Sequence, residues 1–339
     1  MKKNFITGAE YSLQELEKII HLAMSYKKGI KIPDLSGKML TLIFANPSLR
    51  THLSFESGMK KMKGEVNVLH AGNSWQFEYK NGAVMNGDKQ EHVKEGAKVI
   101  SRYSDVIALR QSELVTTASR HNSISSWEIL KQDEAISKLA TYAEKPVINM
   151  ESNMFHPCQA MADVMTMKET FGNIKKKKYV LTWSPHIKAL PLATPHSQLL
   201  MPALFGMNVT VVHPLGFDLD SDVLKMAQEK ALLAGGSVKI SHDQYETFKN
   251  ADVVVAKSWA SLQYFGHWDK ESDYRKQFEH WILNEEKMKL TNNALFLHCL
   301  PVRRNIEVTD GVLDSPRSKV IDEAENRMWV QMALIFYLL

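Results

Sequence analysis

The sequence has little sulfur for cross-links, no long apolar run and none of the glycine signatures of nucleotide enzymes. Two cysteines, Cys158 and Cys299, occur in 339 residues. They exclude a disulfide framework and point to a reducing compartment. No run of about 18 apolar residues exists, so a membrane-spanning helix is not expected. The most apolar stretch, MWVQMALIFYLL (328–339), is too short and reads as a buried terminal helix. The first residues, MKKNFITGAEYSLQELEK, lack the apolar core of a secretory signal. The expectation is a cytoplasmic protein with no membrane partner. G-x-x-x-x-G-K-[ST] is absent, and no G-x-G-x-x-G follows a strand. Zinc-spaced ligands and a G-x-S-x-G elbow are missing too. These absences argue against P-loop, dinucleotide, zinc and serine-hydrolase chemistry. No metal or cofactor is expected.

What is present is an ordinary globular composition, 44% hydrophobic and 24% charged, with a net charge of +4. The length suggests two domains. Lysines cluster at 60–63 and 175–178 and read as solvated faces. No aromatic-interleaved basic stripe supports a nucleic-acid partner, whereas an anionic small substrate fits the charge.

Strand and helix patterns alternate throughout. Ser12 and Glu15 stand at capping-box spacing before a helical pattern. MLTLIFA (39–45) is a continuous apolar run, as in a buried parallel strand. A helix follows NPSLRT, with Phe55, Met59 and Met62 on one face and Gly64 as its stop. VNVL, SDVIALR and KPVINME complete a first half. CQAMADVMTMKETFG then reads as a linking helix. YVLTW, VTVVH, VKIS, DVVVA and ALFLH are the strands of a second half. SKVIDEAENRMWVQMALIFYLL reads as a last short strand and a C-terminal helix. The fold class is α/β: two doubly wound domains with mostly parallel sheets, joined by an interdomain helix and a C-terminal helix.

In such sheets ligands bind outside the carboxyl ends of the strands. Five strand ends carry polar residues there. Asn46-Pro47-Ser48-Leu49-Arg50-Thr51 opens a helix with backbone N–H groups, hydroxyls and an arginine, a set suited to phosphate. It also reads as a plain helix cap. The others are Arg110; Glu151 with His156 and Gln159; Lys257; and Cys299, Leu300, Arg303 and Arg304. Taken singly, each has a structural reading, and His156 alone would pass for a satisfied core histidine. Five together at the ligand-binding edge are harder to dismiss.

SLRT (48–51), HPCQ (156–159) and HCLP (298–301) resemble, in order and placement, the motifs of the aspartate/ornithine carbamoyltransferase family. The resemblance spans essentially the whole chain. It is closest to the N-acylornithine branch, through WQFEYKNGAVMNGD, VINMESNMFHPCQ, KYVLTWSPH, AKSW, LTNNALFLHCLPVRRN and DEAENR. The resemblance implies a carbamoyl-phosphate-binding domain over 1–152, completed by helix 323–339, and an N-acylornithine-binding domain over 153–322. It implies transfer of the carbamoyl group of carbamoyl phosphate to the δ-amine of N-acetyl-L-ornithine, within arginine biosynthesis, by a homotrimer. The alternatives are N-succinyl-L-ornithine as acceptor and an inactive scaffold paralogue, which would be expected to have lost Arg50 or His156.

The same resemblance assigns roles. Ser48, Leu49, Arg50 and Thr51 hold phosphate. Arg110, His156 and Thr51 polarise the carbamoyl oxygen. Gln159, Cys299, Leu300 and Arg327 hold the carbamoyl amide, with Pro157 and Cys158 beside them. Arg50, Arg110, His156 and Cys299 form the catalytic set. Trp75 (from a neighbouring subunit), Gln90, Glu151, Lys257, Leu300 and Glu307 meet the acylornithine. Cys299 also reads as a small buried hydrophobe lending only its backbone, Trp75 as core packing, and Glu151 as a strand-end ion-pair partner.

Two departures bear on specificity. Ornithine enzymes carry an aspartate near the place of Lys257, which meets a free α-ammonium. A lysine repels that group, tolerates an acylated nitrogen and can pair with the α-carboxylate. At Gln90 the acetyl pattern tends to Glu and the succinyl pattern to Pro. Glutamine does not repel a succinyl carboxylate, while Glu307 disfavours it, and acetyl is the favoured acceptor.

Overall fold

The structure is a computed structural model that describes residues 3–71, 75–112 and 126–339. Two compact units divide the chain. One holds the described parts of Met1–Ser112 with Leu130–Cys158 and Arg327–Leu339; the other holds 126–129 and Gln159–Asn326. Of the C-terminal segment, Arg327–Leu339 falls in the first unit.

In the first unit, Met39–Phe44 (β1) is buried along nearly its whole length, because both faces of a parallel strand are covered. Glu65–His70 (β2) is largely exposed and lies at the sheet edge. Phe77–Glu78 (β3) and Glu91–His92 (β4) form a separate two-residue ribbon. Val106–Arg110 (β5) and Val147–Glu151 (β6) complete the sheet in the order β2-β1-β5-β6, every pair parallel. The chain leaves β1 for β2 on one side and returns to β5 on the other. The switch point thus lies between β1 and β5, with Phe44 opposite Arg110.

The first helix, Leu13–Lys27, carries the expected reciprocal capping box of Ser12 and Glu15. Ile43, Ile107, Leu109 and Val147 of the sheet pack with Val93, Ala97, Ile136 and Leu139 of helices Val93–Tyr103 and Glu134–Tyr142. The C-terminal helix Val320–Leu338 reaches helix Leu49–Lys61 at Gly58. A Cβ at Gly58 would lie 2.9 Å from Met332 Cγ, so glycine permits the close approach.

The second unit has Lys178–Trp183 (β7), Asn208–Val212 (β8), Ser237–Ser241 (β9), Val253–Lys257 (β10) and Leu295–Leu297 (β11), in the order β11-β10-β7-β8-β9. All pairs are parallel. The direction reverses between β7 and β10, and Lys257 stands opposite Trp183 there. Each sheet is therefore doubly wound.

The expected short strand before the last helix is corrected. Ser318 makes only an isolated bridge to Phe296. Two backbone bonds, Phe296 N–H to Arg317 O and Lys319 N–H to Phe296 O, join the segment to β11 before the helix begins. β11 stops early for a related reason: the next N–H, of His298, donates to the Glu323 carboxyl at 3.0 Å instead of a ladder. No helix among the described residues is long and apolar enough to cross a membrane.

Candidate active site

Each unit gathers polar groups at its own switch point. In the first, Ser48 caps helix Leu49–Lys61 and its Oγ accepts from Thr51 N–H at 3.4 Å. Ser48 Oγ–H also donates to Thr51 Oγ1 at 3.0 Å. Buried Thr51 accepts from Arg327 Nη2 at 2.7 Å. This fixes Arg327, itself 4% exposed, at the first helical turn. Leu49 and Arg50 contribute N–H groups that no residue four positions earlier in the helix can accept. These N–H groups and the positive helix end favour an anion.

Arg110, at the end of β5, donates through Nη1 to Glu151 Oε2 at the end of β6. The ion-pair reading of Glu151 is therefore realised within this unit. Arg110 Nε is buried with no hydrogen-bond partner among the described residues. His156 Nε2 stands 3.7 Å from the same Glu151 oxygen. Arg110, Glu151 and His156 thus form one cluster. Pro157 and Cys158 are buried. The Cys158 thiol donates to Asn149 O, and burial pushes it up to about 12. That leaves its backbone for any ligand.

The turn that carries His156 is held from behind. Ser152 Oγ–H donates to Asp133 Oδ2, and Asn153 N–H donates to Asp133 Oδ1 at 2.9 Å. Asp133 sits in the left-handed region at φ 51°. Burial raises its carboxyl from the ordinary 3.8 to about 6 against these hydrogen bonds. A raised acid keeps its full stability contribution below the unfolded value and loses it as pH rises through the folded value. The wild type should therefore lose up to about 3 kcal/mol relative to Asp133→Asn between pH 4 and pH 7. Thermal melts of both proteins across that range check this; parallel curves would refute it.

Trp75 and Gln90 flank the β3–β4 ribbon. Trp75 Nε1–H donates to Glu91 at 2.9 Å, and Gln90 Oε1 accepts from Gln76 N–H at 2.8 Å. Trp75 is 48% exposed, which excludes the core-packing reading.

In the second unit, Lys257 ends β10 and is only partly exposed. The loop after it is buried and braced. Arg275 Nη1 donates to Ser258 Oγ at 2.7 Å and Nη2 to Trp259 O at 2.9 Å, while Glu271 pairs with Arg275. Trp259 Nε1–H donates to Phe217 O at 2.8 Å. The ammonium of Lys257 acts on Glu307 and on His186. Glu307 is 1% exposed and accepts Arg303 N–H at 2.7 Å. His298 Nε2 lies 3.5 Å from it. Burial opposes its ionisation, yet His298, Lys257 and the Arg303 backbone pull the carboxyl down to about 2. Glu307 therefore shapes the local field from within the protein. His186, after β7, accepts from Arg303 Nε at 3.0 Å; burial holds its imidazole below the ordinary value.

His186 lies outside the expected site residues, and for Arg303 the sequence predicts only a strand-end cation. The switch-point rule would have found His186 had the strand order been legible. Cys299 (9% exposed) and Leu300 follow β11, where His298 Nδ1 lies 2.8 Å from Cys299 O. Gln159 belongs to this unit and is 2% exposed.

Comparison with known proteins adds the family. Residues 3–169 match the carbamoyl-P binding domain of aspartate/ornithine carbamoyltransferase, and residues 193–338 match its Asp/Orn binding domain. The N-acetylornithine carbamoyltransferase of Xanthomonas axonopodis pv. citri is 40% identical over 337 residues, covering 98% of this chain and 95% of that protein. The N-succinylornithine carbamoyltransferase of Bacteroides thetaiotaomicron is 34% identical over 292 residues, 86% of this chain and 84% of that one. A crystal structure of acetylornithine transcarbamylase complexed with acetylcitrulline superposes with a TM-score of 0.92 at 40% identity, covering 99% of this chain and 98% of the other.

Proposed function

The chain is a carbamoyltransferase that belongs to the aspartate/ornithine carbamoyltransferase family, and from that premise we propose that it carbamoylates N-acetyl-L-ornithine in arginine biosynthesis. The δ-amine, in its free-base form, attacks the carbamoyl carbon of carbamoyl phosphate. The carbon–oxygen bond to phosphate breaks, the nitrogen loses a proton, and N-acetyl-L-citrulline and phosphate leave. The protein's contribution is orientation and charge stabilisation. Ser48, the Leu49 and Arg50 N–H groups and the Arg50 side chain hold the phosphate. Arg110, His156 and Thr51 polarise the carbamoyl oxygen. Gln159, the Cys299–Leu300 carbonyls and Arg327 orient the carbamoyl amide, with the Pro157–Cys158 backbone alongside.

Lys257 is the observation that carries the acceptor. A cation braced at the second switch point, with Arg303 and His186 nearby, suits an α-carboxylate and opposes a free α-ammonium. Glu151 and Gln90 complete the acceptor contacts. The higher identity to acetyl than to succinyl enzymes supports acetyl, as does the uncompromised charge of Glu307. Citrulline-type product should form from carbamoyl phosphate with N-acetyl-L-ornithine, at least about 100-fold faster in kcat/KM than with ornithine, a difference near 3 kcal/mol. A preference for N-succinyl-L-ornithine would move the assignment to that acceptor, and no product with any of the three would favour the scaffold reading.

The protein is further proposed to work as a homotrimer in the cytoplasm, with exposed Trp75 serving a neighbouring subunit. Trp75→Ala and Lys257→Asp protomers, each poorly active alone, should regain activity when mixed and reassembled. No gain on mixing would remove the shared-site arrangement.

A further inference from the structure

A pair of buried carboxyl groups lies behind the carbamoyl-amide residues, and none of the roles above uses it. Gln159 donates both amide hydrogens away from any ligand: Nε2 reaches Asp163 Oδ1 at 2.9 Å and Glu323 Oε1 at 2.5 Å. Asp163 Oδ2 accepts from Gln198 Nε2 at 2.9 Å. Glu323 Oε2 accepts from the His298 N–H at 3.0 Å. Asp163 and Glu323 are 2% and 1% exposed. One amide nitrogen thus bridges two carboxyl groups from chain segments about 160 residues apart, at the foot of the H-C-L-P loop.

The groups that face this pair are Tyr179 on β7, Cys299 and the His298 backbone beyond β11, and Gln159 and Gln198 from their helices. Burial, followed by the charges of Asp163 and Cys299, holds the Glu323 carboxyl well above its ordinary range. Burial and the same two carboxyls likewise push the Tyr179 phenol well up. Two carboxyls sharing a buried site do not both ionise near neutrality.

We propose that Glu323 is a positioning residue that works protonated: it shares one proton with Asp163, and the pair together fixes the Gln159 amide and the His298 backbone. The consequence is directional. With Nε2 held by the pair, Gln159 turns its Oε1 outward as an acceptor. The backbone anchored at His298 leads into the Leu300 carbonyl. A carbamoyl amide brings two N–H donors and needs acceptors. This inference rests on the carbamoyl-transfer reading for its kinetic arm and stands apart from it in its spectroscopic arm.

The spectroscopic arm is infrared spectroscopy of the whole protein labelled with carbon-13 glutamate. At neutral pH the wild type should show the carbonyl stretch of a buried, protonated glutamic acid, and Glu323→Gln should lack it. Absence of the band from the wild type, or its persistence in Glu323→Gln, overturns the proposal whatever the substrate proves to be. The kinetic arm compares three variants. Glu323→Gln is neutral, accepts from His298 N–H and can donate to Asp163. It should keep KM for carbamoyl phosphate within about threefold, whereas Glu323→Ala should lose about tenfold or more in kcat/KM, the effect of one lost hydrogen bond. Glu323→Gln gives up only the bond from Gln159 Nε2, which Asp163 Oδ1 still accepts, whereas Asp163→Asn removes the acceptor of the shared proton and should fail. If Glu323→Gln is as damaged as Glu323→Ala, the protonated form is not the working one and the proposal falls.

Discussion

Replacing Lys257 with aspartate should lower kcat/KM for N-acetyl-L-ornithine by about 10³-fold, while KM for carbamoyl phosphate changes by less than about threefold. The size follows from the surroundings. Lys257 ends a buried strand, and its next four residues are wholly buried and braced by Arg275. The backbone there has little freedom to carry the side chain elsewhere. Losing a charge-assisted bond to a carboxylate costs about 1.5–3 kcal/mol. An aspartate adds repulsion of similar size, because it would stand near Glu307, whose carboxyl His298 and the Arg303 backbone still pull down once Lys257 is gone. Lys257→Arg keeps the charge and should recover part of the loss. The discriminating readout is the acceptor ratio. Ornithine, with its free α-ammonium, should gain on N-acetyl-L-ornithine in Lys257→Asp. An unchanged KM for N-acetyl-L-ornithine would show that the lysine meets no substrate carboxylate and merely compensates Glu307.

Much of this geometry was legible in the sequence because strands end visibly. VIALR and VVVAK run apolar until a terminal polar residue and end as strands there, VINME does so apart from buried Asn149, and MLTLIF is apolar apart from buried Thr41. The capping box at Ser12 and Glu15 is a local signal and formed as read. What stayed hidden depends on contacts distant in sequence. β11 is short because a carboxyl 25 residues later takes the His298 N–H, and no local pattern records that. Glu307 looked like a pocket-lining carboxylate, yet it is buried behind Lys257 and Arg303. Arg110 and Glu151 were assigned to different substrates, and the register shift between β5 and β6 sets them opposite one another as an ion pair. His186 carries no local signal, because its value lies in following the strand beside β10, a neighbour relation that only the sheet order reveals.

Arg50→Ala should raise KM for carbamoyl phosphate and lower kcat, for a combined loss of about 10³-fold in kcat/KM, near 4 kcal/mol. Two effects act at the same helix end. Ser48 caps the first turn, and together with the Leu49 and Arg50 N–H groups it supplies neutral donors only. The Arg50 guanidinium adds a full charge with a fork that matches phosphate oxygens. A phosphate that gathers charge as the carbon–oxygen bond breaks gains more from that cation in the transition state than in the ground state. The loss should therefore divide between KM and kcat rather than fall on KM alone. Inhibition by inorganic phosphate should weaken in parallel, since the product presents the same oxygens. Lys60→Ala, which removes one positive charge from the other end of the same helix, where Lys60 pairs with Glu56, is the control for net charge and should change neither constant by more than about twofold. If Arg50→Ala raised KM and left kcat intact, the arginine would be a uniform binding contact. The transition-state charge would then have to be met by Arg110 and His156.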